Sequence, residues 1–169
     1  MRPLKGDCPE YYNYYIGLIK ESTVVDALKT TQESTTALIK SINDDLADFV
    51  YAEGKWTIKQ LLVHCIDTER IFSTRALCFA RGETQKVISF DENSYAENSD
   101  TFNRSMDDIL KEFEAVRNSS ICLFKSFSQT TLNLKGFTPI GPATVNAIGF
   151  AICGHTEHHL NILRERYLK

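Results

Sequence analysis

Apolar positions recur at helical spacing in four stretches of this chain, and polar or turn-forming residues separate those stretches. The last, Thr144 to Lys169, is the most regular. Val145, Ile148, Ile152, His155, His159, Ile162 and Arg166 follow one another at alternating steps of three and four, the inward stripe of a helix packed in a bundle. From Ser22 to Ile42 a first helix is predicted by Val24, Val25, Leu28, Ala37, Leu38 and Ile42, with threonines loosening the pattern. Thr57-Ile-Lys-Gln60 offers a capping box, from which a second helix runs through Ile58, Leu61, Leu62, Cys65, Ile66 and Phe72 as far as Gly82. Ser105 caps a third helix carrying Ile109, Leu110, Phe113, Val116, Ile121 and Phe124, with Asp107 and Asp108 near the positive end of its dipole. Four helices with one apolar face each can bury those faces only against one another, so the expected fold is all-α, a four-helix bundle with long connections.

The connections read less clearly. Residues 1 to 21 hold Pro3, Pro9 and four tyrosines (Tyr11, Tyr12, Tyr14, Tyr15), and are expected to form an irregular or briefly helical arm over the bundle. Glu83 to Arg104 is long, polar and without helix or strand pattern, which suits a functional loop or one draped across a bundle end. Gln129 to Ala143, with Gly136, Pro139, Gly141 and Pro142, reads as a turn-rich connector or short lid, and no strand is predicted anywhere.

Length and composition narrow the function classes. With 169 residues, 43% hydrophobic and 24% charged, the chain is expected to be one domain, residues 1 to 169. A net charge of -3 leaves no basic stripe for phosphates, so nucleic acid is not expected as a partner. The longest apolar run, Ala147 to Cys153, is far below the roughly 20 residues of a spanning helix, and the first residues lack the apolar core of a signal peptide. A cytoplasmic protein that does not bind membranes is the expectation. Five cysteines without a CxxC pair, four of them in apolar helical patterns, read as reduced, buried, hydrophobe-like thiols.

Histidine changes the picture. Of four in the chain, three are His155, His158 and His159, and the fourth is His64 in the second helix. A buried imidazole without hydrogen-bond partners costs a few kcal/mol, so two of them one turn apart on an inward stripe need a shared reason, and a metal ion supplies one. His64, His155 and His159 are the candidate ligands; His158 lies about 100° around the helix from His159 and is placed at the rim. Asp67, one turn after His64, is the candidate to hold that histidine's tautomer or act as acid or base. Glu157 points away from the stripe. Glu69 and Arg70 read as a structural pair, and Trp56 as packing for the start of the second helix.

Three blocks carry a family resemblance: Gly54-Lys-Trp-Thr-Ile-Lys-Gln-Leu-Leu-Val-His64; Asp67-Thr-Glu-Arg70 with Arg75-Ala-Leu and Ala80-Arg-Gly82; and Gly154-His-Thr-Glu-His-His-Leu with Leu163-Arg-Glu-Arg-Tyr167. With Tyr14-Tyr-Ile-Gly-Leu-Ile19 and Ser89-Phe-Asp-Glu-Asn-Ser-Tyr95, they resemble the DinB-like superfamily of metal-binding four-helix proteins over most of the chain. The resemblance implies a divalent metal held by one histidine of the second helix and two, four apart, of the last, which by motif match His64, His155 and His159. Relatives in that superfamily include bacillithiol S-transferases and mycothiol-dependent maleylpyruvate isomerase.

Three neutral imidazoles leave at least one coordination position open, the arrangement of catalytic and not of closed structural sites. Zinc suits the set first; nickel, cobalt, iron and manganese also accept imidazole. An open position can lower the pKa of a bound water or bind a small thiol as its thiolate. The leading expectation is therefore a metal-dependent enzyme on a small-molecule substrate, with thiol S-transfer ahead of hydrolysis and a low-molecular-weight thiol as co-substrate. The alternative is a non-catalytic metal-containing bundle that binds a ligand or partner, as a homodimer for instance.

Overall fold

Each long helix begins where a side-chain oxygen takes up a free backbone N–H. The computed structural model, which describes residues 1–169, has Thr23 accepting from the Asp26 N–H ahead of α2 (Val24–Ser41) and Thr144 accepting from the Ala147 N–H ahead of α7 (Val145–Ile162). Full capping boxes open the other two: Thr57 with Gln60 at α3 (Ile58–Ala80), and Ser105 with Asp108 at α5 (Met106–Lys125). These four form the bundle. Shorter pieces join them: α1 (Glu10–Gly17), a 3-10 turn at Asp44–Leu46, α4 (Glu92–Glu97), α6 (Gln129–Leu132), strands β1 (Lys135–Thr138) and β2 (Gly141–Thr144), and a π-helical turn at Leu163–Tyr167.

Helix α2 packs on α5 and α7, and α3 packs on the same two, so α2 faces α3 across the diagonal and α5 faces α7. The core falls into two apolar clusters. One joins Val24 and Leu28 of α2, Ala76 and Phe79 of α3, Phe124 of α5 and Ile148 of α7; the other joins Ile39, Ile58, Ile109 and Leu160 of the same helices. Helices α3 and α5 therefore run parallel to each other, as do α2 and α7, and the pairs are opposed. Parallel neighbours need a connection that returns the length of the bundle, which is what the segment 81–105 provides. No helix is long and apolar enough to cross a membrane.

Two connections differ from expectation, and the N-terminal arm agrees with it. The 83–104 segment contains α4, nucleated by Asp91 accepting from the Asn93 and Ser94 N–H groups. The N-terminal arm folds into α1 and lies on α7. The 129–143 connector holds α6 and an antiparallel hairpin with Lys135 opposite Thr144 and Thr138 opposite Gly141. Its strands contain Gly136, Gly141 and Pro142, residues that disfavour strands in isolation, so the pairing depends on what the hairpin packs against. Gly136 shows this: a Cβ there would run into the Phe79 ring of α3. All five cysteines are free, but only Cys8, Cys65 and Cys153 are buried; Cys78 is half-buried and Cys122 exposed.

Candidate metal centre

The helical stripes bring three imidazoles to one point. His64 comes from α3, and His155 and His159 from the opposed α7. His64 Nε2 lies 3.1 Å from His155 Nε2, and His159 Nε2 lies 3.2 Å from the same atom. No set of neutral tautomers satisfies this crowd. A neutral imidazole has one N–H and one lone pair, so His155 Nε2 can donate to one neighbour or accept from one, and the other nitrogen facing it is left without a partner. The Nδ1 atoms of His64 and His159 are buried without partners, so neither ring gains by turning its proton the other way. A single cation resolves the conflict. Two nitrogens on one tetrahedral ion at about 2.0–2.1 Å stand roughly 3.3 Å apart, close to the spacing present here.

The surroundings keep these rings neutral. Burial lowers the His64 pKa to about 4 and, with the neighbouring His64 and His158, lowers that of His159 to about 3. His155 is pushed well below its ordinary value, first by burial and then by the other histidines. Free lone pairs at neutral pH are what metal ligation requires. Trp56 covers His64 with ring centroids 4.8 Å apart, and Tyr15 meets His155 edge-on at 5.5 Å. Tyr15 can come so close because residue 154 is glycine: a Cβ there would collide with the Tyr15 carbonyl. His158 stands outside the cluster, half-buried, with its Nδ1 3.1 Å from the Tyr14 hydroxyl.

Asp67 is not brought to the histidines. Its carboxylate turns to Arg70, 3.3 Å away, and does not line the cavity over the cluster. The expectation that it holds the His64 tautomer fails for the same reason, since His64 Nδ1 has no protein partner. Three residues of helix leave Asp67 about 60° from His64 on the flank toward α5, where Arg70 also reaches Glu112, whereas Thr68, Phe72 and Arg75 fall on the other flank. Nor do Glu69 and Arg70 pair: Glu69 is taken by Arg117 of α5. Glu157 bonds Arg164 on the outer face, as its place off the stripe implies.

Above the cluster opens a cavity of about 320 Å3. Its walls come from the segments between the long helices: Tyr11 and Tyr15 of the arm, Phe90 and Glu92 of the returning segment, and Pro139 and Ile140 at the hairpin tip. Thr68, Phe72 and Arg75 of α3 complete it. Those three stand four, eight and eleven residues after His64, on its own helix face, and that spacing was the signal by which the sequence could have disclosed them. Glu92 carried no such signal.

The DinB superfamily profile matches residues 27–163. A protein of Oceanobacillus iheyensis named as a "Putative metal-dependent hydrolase" is 27% identical over 123 residues, covering 72% of this chain and 70% of its own. Among solved structures, YfiT from Bacillus subtilis, described as "a probable metal-dependent hydrolase with an unusual four-helix bundle topology", superposes with a TM-score of 0.76 at 17% identity, over 98% of this chain and 90% of that one. At that identity the likeness speaks to the fold.

Proposed function

The chain belongs to the DinB superfamily, and from that premise we propose that it is a divalent-metal enzyme acting on a small molecule bound over His64, His155 and His159, with hydrolysis as the reaction class. The observation that carries this reading is the convergence of three imidazole nitrogens, within 4.8 Å of one another, on the floor of an open cavity. A closed structural site would bury its fourth position among side chains; this one faces space large enough for a small substrate. Zinc suits three neutral imidazoles best, and nickel, cobalt, iron and manganese are the other metals to assay. Such an ion supplies a Lewis acid that polarises a carbonyl or phosphoryl oxygen and lowers the pKa of water.

The chain's own groups do the rest. Glu92 is the carboxylate on the cavity wall, and to it, in place of Asp67, falls the role of taking a proton. Burial, followed by the Tyr11 contact, raises the Tyr15 pKa far above neutrality, so its hydroxyl, 2.9 Å from that of Tyr11, stays protonated and can donate to substrate oxygen. Trp56 and Phe72 keep water from the inner wall. Hydrolysis is placed ahead of S-transfer because no cysteine lines the cavity and both the named relatives are described as hydrolases. S-transfer would require a low-molecular-weight thiol from solution.

Untagged protein is expected to retain one divalent metal per chain, and His155→Ala and His159→Ala are each expected to lose it. Full occupancy in both variants would sink the triad. Metal-loaded protein should then hydrolyse members of a panel of small esters and amides, and chelation should abolish turnover. Turnover seen only with an added thiol would reassign the reaction to S-transfer.

A further inference from the structure

Three basic side chains are buried in this protein, and two have acidic partners: Lys59 lies 2.9 Å from Asp48, and Arg117 2.8 Å from Glu69. The third is Arg75, 5% exposed, and no carboxylate pairs with it. Its Nη2 donates to the Ile88 carbonyl at 2.8 Å, and its guanidinium stacks 5.2 Å from the Phe72 ring centroid. The Ile88 carbonyl and the Tyr12 hydroxyl beside the guanidinium are both neutral acceptors, which a neutral amide could serve as well. A buried cation is expected to have a counter-charge. Arg75 lines the cavity over the histidine cluster, which gives that counter-charge a place to come from.

We infer that the substrate carries a carboxylate, which Arg75 binds while the rest of the molecule extends along α3 to the histidine cluster. His64, Thr68, Phe72 and Arg75 form one stripe, and all four face the same cavity. Eleven residues of helix place His64 and Arg75 about 16 Å apart along the axis, a span the long arginine stem shortens. Between them the Thr68 hydroxyl, on a residue 3% exposed, has no hydrogen-bond partner in the protein. A polar group of the ligand would satisfy it. Phe72 and Phe90 supply an apolar wall between the two ends. A singly charged carboxylate fits better than a phosphate dianion, because Arg75 is the only Lys or Arg on the cavity wall and Glu92, on the same wall, repels a second negative charge. The inference deepens the proposed function and rests on it for the position of the reacting end.

The chain's single tryptophan, Trp56, lines the cavity and reports occupancy by its fluorescence. Titration with 4-phenylbutyrate and with 4-phenylbutyramide, a neutral analogue of the same shape, is expected to show the acid binding about tenfold tighter or more. That preference should appear in both zinc-loaded and metal-stripped protein. It should fall to about one in Arg75→Gln and persist in Arg75→Lys. Equal affinity for acid and amide in the wild type overturns the inference without recourse to any variant. A preference present only with zinc and unchanged in Arg75→Gln puts the carboxylate on the metal, which overturns the role of Arg75 and leaves the proposed function standing. An Arg75-dependent preference in protein that binds no metal supports the carboxylate site and sinks the metal reading alone.

Discussion

Glu69 of α3 and Arg117 of α5 meet at the centre of the bundle with 1% and 0% of their side chains exposed, Nε standing 2.8 Å from Oε1 and Nη2 2.8 Å from Oε2. The same guanidinium donates to the Leu28 carbonyl and the Thr31 hydroxyl of α2 and to the Thr156 hydroxyl of α7. One side chain thereby ties all four long helices at the boundary between the two apolar clusters. Thr156 directly follows His155, and Glu69 lies on the helix that carries His64. The layer therefore sets the register of the two helices that carry the histidine cluster.

Removing one member of this pair leaves the other charge buried and unpaired. Glu69→Met and Arg117→Met are each expected to destabilise the fold by about 3–5 kcal/mol. The double variant Glu69→Met with Arg117→Met should lose less than the sum, because neither charge is then stranded. Urea midpoints of the four proteins measure this; strictly additive losses would mean that the pair is not coupled.

Metal should stabilise the folded chain by mass action, by about 2.7 kcal/mol when its concentration is a hundred times the Kd. Thermal melts with and without zinc are expected to show an upward shift in the wild type and in His158→Ala, and none in His155→Ala or His159→Ala. A shift lost in His158→Ala and kept in His159→Ala would exchange the roles of those two residues.

The two carboxylates near the site separate by position. Glu92→Gln should lower kcat by roughly 10²–10⁴-fold with metal content unchanged, the usual range for loss of an acid or base. Asp67→Asn, at a carboxylate held by Arg70 away from the cavity, should leave kcat within about twofold. The reverse pattern would return the acid-base role to Asp67.

Metal-free protein should lose stability in acid. Unfolded, His64 takes up a proton near pH 6.5, but in the folded chain burial delays this to about pH 4. Over that interval the unfolded state binds the extra proton, so stability is fully present above pH 6.5 and falls as the pH drops, by roughly 3 kcal/mol for His64 alone. His159, lowered to about 3, extends the loss further into acid. Unfolding free energies in a chelating buffer between pH 7 and 4 test the sign: a protein equally stable across that range would contradict the burial of these rings.

The elements legible from sequence are those governed by local physics. Thr57 with Gln60 and Ser105 mark helix starts because a cap needs only residues three apart, and both cap as expected. The alternating steps that place His155 and His159 on the inward side of α7 are a property of one helix, as is the position of His158 off that stripe. Even the cavity residues Thr68, Phe72 and Arg75 repeat the spacing of His64, and were hidden only by lying among ordinary helix residues.

What the tertiary structure alone decided is which faces meet. Glu69 had Arg70 beside it in sequence and Arg117 far from it, and the fold chose Arg117, because helix rotation turns adjacent residues about 100° apart while packing brings α5 against α3. Asp67 was lost to the site because it stands on the flank of α3 toward α5, where Arg70 holds it. The hairpin at 135–144 has glycine and proline where strands avoid them, and stands because Phe79 and its neighbours receive it. Glu92, Tyr15 and Ile140 reach one cavity from three separate connections. Caps and stripes are written in one dimension, by spacing along a helix; the identity of a buried charge's partner and the walls of a pocket depend on distances between segments, which spacing does not encode.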